Sequence, residues 1–265
     1  MTDPTRTPVS SLWGLLAVGV VAGLLSGLLG VGGGIIIVPL LTGLLHFDQH
    51  RAHAHSLAAI VLIAISGAAT FAVAGEIDVA IGLALGVGGV AGSTVGAHLM
   101  HRMSRSALRG VFGLIMIATG IRMVWSGVTS TGGDLDMVAS LLIGVSIGLV
   151  AGFASGVAGI GGGVIMVPAM VYLLALSQHV AEGTSLMAIL FTAVAGTRVN
   201  LANRRVDLRQ AMLIGLGGVV SALIGARLAL AIPSTTLSRV FGVFVALVGL
   251  RMVATLARDR RVTSG

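Results

Sequence analysis

From Leu12 to Leu45 the chain carries no charged side chain, and inside that stretch stands Gly32-Gly33-Gly34 followed five residues later by Pro39. A single helix of that length would run about 51 Å, against a hydrocarbon core of about 30 Å. The stretch is too apolar for a soluble loop and too long for one span, so it must break. The chain then repeats it. GLLSGLLGVGGGIIIVPLL begins at Gly23 and GFASGVAGIGGGVIMVPAM begins at Gly152, with Gly161-Gly162-Gly163 and Pro168 at the matching places.

The medium follows from composition. Apolar residues make up 56% of the chain and charged ones 9%, with a mean hydropathy of +1.06, where a soluble domain carries roughly 25% charged residues. Further apolar runs cover 56–74, 79–100, 108–125, 184–202, 208–232 and 240–256. They are continuous rather than alternating, which favours spanning helices over a barrel. The fold class is therefore an all-α polytopic membrane protein. The chain has no cysteine and no lysine, which excludes disulfides, thiolate metal sites and the lysine of a phosphate loop. Its arginines form no aromatic-laced basic stripe, so no nucleic-acid partner is expected. The implied partners are the lipid bilayer and a small anion, and a homo-oligomer is compatible with the sequence.

A shift of 129 residues carries Gly23 onto Gly152 and extends the match to LHFDQHRAHAHSLAAI against LALSQHVAEGTSLMAI. The reading is a tail at 1–11, a first membrane repeat at 12–127, an external connector at 128–137, a second repeat at 138–257 and a tail at 258–265. Loop charges orient the halves. Residues 101–109 hold three arginines where 230–238 hold none, and the acidic 75–80 match the basic 204–209. Arginine-rich short loops lie in the cytoplasm, so equivalent positions face opposite sides and the two halves have inverted topology. Both termini then fall inside. Each half needs a broken or re-entrant first segment followed by three spans, the breaks approaching each other near the midplane.

A backbone break in a bilayer is tolerated only where protein or a watery cavity meets its bare amides. The helices restarting at Ile35 and Val164 aim free N–H groups at the breaks, a ready anion site. Gly32, Gly33, Gly34, Gly161, Gly162 and Gly163 are the expected backbone donors, and Ser56, Thr184 and Ser185 the expected hydroxyl donors. Helix N-capping explains those three hydroxyls equally well. Arg198, on one span with Asn200 and Asn203, is the expected attractor of the anion. Arg122 and Arg251 occupy matching positions and read as structural or interfacial. Gly19, Gly23 and Gly27, with Gly148, Gly152 and Gly156, have the spacing of close helix packing.

Other patterns carry less. His46, His50, His53 and His55 with Asp48 read as a solvated loop rather than a metal centre, with a proton-linked role open for His55. Ser26 and Ser155 have no base placed beside them by spacing, so no catalytic residue, metal ligand or cofactor is expected. All nine acids are read as lying in tails, loops or segment ends, which argues against a buried-carboxylate ion site.

The paired glycine-rich breaks followed by VP, the GTSL block at 183–186 and the two-half organisation resemble the sulfite exporter TauE/SafE family of membrane permeases. That resemblance implies an inner-membrane permease for sulfite, sulfoacetate or related organosulfur anions. The first half departs from the GTSL form, reading HAHSL at 53–57. An anion channel and an intramembrane enzyme are the alternative readings.

Overall fold

The computed structural model describes residues 12–99, 105–126, 136–158, 162–204 and 206–263. These form ten helices and no strand: α1 (Leu12–Leu29), α2 (Gly34–Gly43), α3 (Gln49–Val73), α4 (Val79–Leu99), α5 (Arg105–Ser126), α6 (Met137–Ala158), α7 (Gly163–Leu173), α8 (Gln178–Ala202), α9 (Leu208–Ala231) and α10 (Ser234–Thr263). Seven of them are long and apolar enough to cross a membrane, while α2 and α7 are short. Their outer faces expose large apolar side chains such as Trp13, Leu114, Leu142, Val220 and Leu247, the surface of a chain whose solvent is lipid. The protein is a multi-pass helical membrane protein.

Glycine lets the helices pack backbone to backbone. On α1, Gly19, Gly23 and Gly27 abut the main chain of Ile214, Gly218 and Ala222 on α9; on α6, Gly148 and Gly152 abut Leu85 and Gly89 on α4. These are one contact made twice, related by the 129-residue shift. The helix pairs at the centre behave likewise. Leu57 of α3 lies on Gly196 of α8, and Leu186 of α8 lies on Gly67 of α3, so the two equivalent helices run antiparallel. Helices α5 and α10 do the same through Gly113 with Gly249 and Gly120 with Gly242.

Both long apolar segments break where the length argument requires. Helix α1 runs alongside α9 in the same direction, and α3 does too. Helix α2 returns between them, starting with Gly34 beside Ser56 and Ile60 near the middle of α3. With 10 residues it is too short to cross a bilayer as a helix.

Helix starts differ from the apolar runs. Helix α3 begins seven residues before Ser56 and α8 six before Thr184 because polar caps, not apolarity, start them. Asp48 accepts from the His50 and Arg51 amides, Ser177 from Val180, and Asp207 from Arg209 and Gln210. Ser56, Thr184 and Ser185 therefore lie inside helices, and the N-capping explanation for them fails.

The packing makes a direct prediction. Valine at Gly23 drives its side chain into the Gly218 backbone and the Ser221 hydroxyl, an overpacking cost of about 1–3 kcal/mol or more. Alanine at Gly43 meets nothing within 4 Å. Thermal unfolding followed by size-exclusion chromatography should show Gly23→Val markedly destabilised and Gly43→Ala unchanged.

Candidate functional site

The first break starts where α1 ends at Leu29. Gly30 donates to the Ser26 carbonyl at 2.8 Å, and the chain then turns through Gly30, Gly32 and Gly33 with φ of 65°, 77° and 73°. Only glycine adopts that left-handed backbone without penalty, which is why an apolar helix stops here. Helix α2 restarts with Ile36 and Ile37 both donating to the Gly33 carbonyl, at 3.0 and 2.9 Å. In the second half Ile165 and Met166 donate to the Gly162 carbonyl at 3.1 and 3.0 Å. Here the backbone differs: Gly162 is right-handed at φ −62°. Gly163 is required instead by proximity, since a Cβ on it would fall 2.7 Å from Val31 Cα and 2.9 Å from the Gly30 carbonyl. Gly161 lies outside the described residues.

The two breaks thus touch. They do so beside Ile189, near the middle of α8, whose side chain fills the space that a Cβ on Gly32 or Gly163 would enter. The amides from Val31 to Ile35, and those of Gly163 and Val164, have no backbone acceptor among the described residues. Ser26 and Ser185 are among the hydroxyls buried without a partner. Ser26 lies against Gly33, with its Cβ 3.6 Å from where a Cβ on Gly33 would stand, and Ser56 Oγ lies equally close to Gly34. The structure therefore gathers Gly32, Gly33, Gly34, Gly162, Gly163 and Ser56 around one place, and adds Ser26 as a hydroxyl beside it. Ser185 is the repeat equivalent of Ser56.

Thr184 and Arg198 stand elsewhere. Thr184 Oγ1 accepts the Asp78 amide at 2.9 Å, and its repeat equivalent His55 accepts the Asp207 amide through Nε2 at 3.2 Å while its Nδ1 faces the Arg51 carbonyl at 2.7 Å. Both side chains hold the N-cap residue of a helix from the opposite half. Arg198 is exposed, about 13 Å of helix rise beyond Ile189, and Asn200 and Asn203 bond carbonyls of their own helix. Among the described residues no group of three His, Asp or Glu is placed to hold a metal.

One acid lies where none was expected. Glu182 is fully buried on α8, accepts from Gln178 Nε2 at 2.7 Å, and packs directly on Gly30. It was read as a segment end because the apolar run starts at Thr184. The Ser177 cap, about two turns before Thr184, is the signal that places Glu182 inside the helix.

Two cavities flank the breaks, and they are repeat equivalents of unequal size. The larger, about 840 Å³, lies between α2 and the C-terminal part of α10 and reaches from Gly34 past Pro39 to Asp48, with Arg251 in its wall. The smaller, about 200 Å³, lies between α7 and α5 and includes Pro168 and Tyr172. Tyr172 replaces Gly43 of the first half and carries the Arg122 guanidinium 4.7 Å above its ring. Arg122 and Arg251 are equivalent positions: one is stacked on an aromatic, the other lines the larger cavity.

The family described as sulfite exporter TauE/SafE matches residues 2–123 and 144–264. Relatives include the probable membrane transporter proteins YunE and YdhB of Bacillus subtilis, each 26% identical, covering 90% and 87% of this chain and 96% of their own length. A probable membrane transporter protein of Xylella fastidiosa is 31% identical over 44% of this chain and 45% of its own. No solved structure matches.

The geometry separates the two neighbouring glycines of the second break. Alanine at Gly163 must displace Val31 and Gly30, whereas alanine at Gly162 meets the mobile end of Met166 at 3.1 Å. Transport in vesicles should be lost in Gly163→Ala and kept in Gly162→Ala. At Gly33, leucine adds about 1–2 kcal/mol of backbone strain and should abolish flux while leaving assembled protein.

Proposed function

The chain belongs to the sulfite exporter TauE/SafE family of membrane transporters, and we propose that it is a secondary transporter of small anions. Sulfite or organosulfur anions such as sulfoacetate are the substrates, bound between the two glycine-rich breaks. The halves are inverted repeats in the inner membrane with both termini in the cytoplasm. The antiparallel packing of α3 on α8 and of α5 on α10, each contact repeated after 129 residues, supports that topology. Bare amides, the Ser26, Ser56 and Ser185 hydroxyls and the N-terminal dipoles of α2 and α7 give an anion donors without a buried cation. Arg251 draws it into the cavity.

The observation that carries the transport cycle is the inequality of the two equivalent cavities. In an inverted repeat, exchanging the conformations of the halves exchanges the cavities, so the unequal volumes of these two equivalents, about 840 Å³ and about 200 Å³, support a reading in which the protein stands in one state of an alternating-access cycle. The larger cavity lies with the C-terminal part of α10 and the α2–α3 loop, on the cytoplasmic side. Tyr172 under Arg122 narrows the other. An anion channel would use the same donors but needs a path open at both ends.

Labelled sulfite should enter proteoliposomes with saturable kinetics, and excess unlabelled sulfite or sulfoacetate should compete while acetate should not. Flux that rises linearly with concentration and follows voltage would instead be a channel's. Because the chain has no cysteine, single cysteines report topology cleanly: Glu76→Cys should react with an impermeant thiol reagent from outside intact cells, and Arg209→Cys only after the membrane is opened. Labelling of both from one side would refute the inversion.

A further inference from the structure

Glu182 is the one acidic side chain fully buried among the described residues. It sits at the far end of the first break from the larger cavity, where a Cβ on Gly30 would fall 2.6 Å from Glu182 Cα. Gln178, one turn earlier, donates its amide N–H to Glu182 Oε1, which leaves two oxygens of the pair, Glu182 Oε2 and Gln178 Oε1, buried without any partner. A buried carboxylate with no compensating charge is among the costliest groups a protein can hold.

Among the described residues the surroundings offer that charge no relief. On its own helix, His179 spends Nε2 on the Ala229 and Ile232 carbonyls. The α3–α4 turn brings Glu76 and Asp78, but these reach Gly183 and Thr184 through main-chain atoms. Tyr172 of α7 lies under Arg122, and Arg227 of α9 and Arg239 of α10 are exposed. The histidines of α3, His50, His53 and His55, lie toward its N-terminus and hence, in the antiparallel pair, toward the opposite end of α8. His53 is the repeat equivalent of Glu182. Helices α1 and α2 and the first break contribute no titratable group.

A metal ion does not fit either. A hard cation asks for about six oxygen ligands, and the pair has two free ones. One proton answers for both. Placed on Oε2 it makes that oxygen a donor, and the free acceptor on the side chain already bonded to Oε1 is Gln178 Oε1. A proton there would let the pair close as a two-bond acid–amide ring, giving both oxygens a partner.

We propose that Glu182 is a proton-binding site coupled to the anion held at the breaks. An anion among the break amides and an ionised Glu182 repel each other across a poorly screened interior. The anion is therefore held while Glu182 carries its proton, and loss of the proton weakens its binding. This coupling rests on the anion-transport reading; the protonated acid–amide pair itself does not.

Infrared spectroscopy of the whole protein in lipid vesicles tests the pair directly. A protonated-carboxyl C=O band should be present at neutral pH and absent in Glu182→Gln; a wild-type spectrum without that band overturns the proposal. If Glu182→Gln fails to assemble, Gln178→Met serves, because losing the amide should move the band, and an unmoved band rejects the pairing. The coupling is read from labelled sulfite uptake under an imposed proton gradient with the membrane potential clamped, protein-free vesicles being subtracted. One proton per anion gives about tenfold accumulation per unit of pH. Glu182→Gln should carry sulfite only downhill and ignore the gradient, and gradient-driven accumulation in that variant refutes the coupling. A wild type that moves no sulfite would fail the substrate reading above, and the infrared band would still decide whether Glu182 holds a proton.

Discussion

Hydrocarbon accepts no hydrogen bond, so a chain that interrupts its helices inside a membrane must surround the interruption with protein. The packing around the breaks answers that constraint. The first break lies on α8 between Glu182 and Ile189, the second lies against the first through Gly163, and α3 closes the side through Ser56 and Ile60. The amides that remain without backbone acceptors are grouped at one place, beside buried hydroxyls. What would be a defect in a single half becomes a polar site when two halves share it.

Backbone-on-backbone packing makes that sharing feasible. Two helices bearing ordinary side chains are held 8–10 Å apart (about that range), whereas the glycine rows of α1 and α6 let them lie directly on α9 and α4, the fourth helix of the opposite half in each case. Each half is thereby threaded into the other. Neither half has a complete interior alone, which is why the helix order in sequence is so unlike the neighbour order in space.

The repeat is close but imperfect, and its departures are informative. Gly43 against Tyr172 makes one cavity wide and the other narrow, and it gives Arg122 an aromatic partner that Arg251 lacks. His55 against Thr184 changes nothing essential, because both side chains accept the same amide of a helix cap. His53 against Glu182 places two titratable groups of opposite charge type at equivalent positions on antiparallel helices. Symmetric positions with different chemistry allow one scaffold to respond differently on its two sides.

Much of this was legible in the chain itself. Continuous apolar runs dictated helices, their length dictated a break, and triple glycine located it to within a residue or two, because these depend on local chemistry and on the thickness of the medium. The 129-residue repeat predicted paired breaks that meet. Helix starts were less legible, since the caps at Asp48 and Ser177 lie in polar sequence that hydropathy reads as loop, and that error hid Glu182. Thr184 and Arg198 were assigned to the site by residue type, yet direction around a helix decides what a side chain faces, and both face away. Sequence alone determined the medium, the helices, the breaks and the repeat, all consequences of composition and spacing. Only the tertiary structure decided which amides and hydroxyls converge, which cavity is the larger, and that one carboxyl is sealed beside the break, because those depend on which helix of one half lies against which helix of the other.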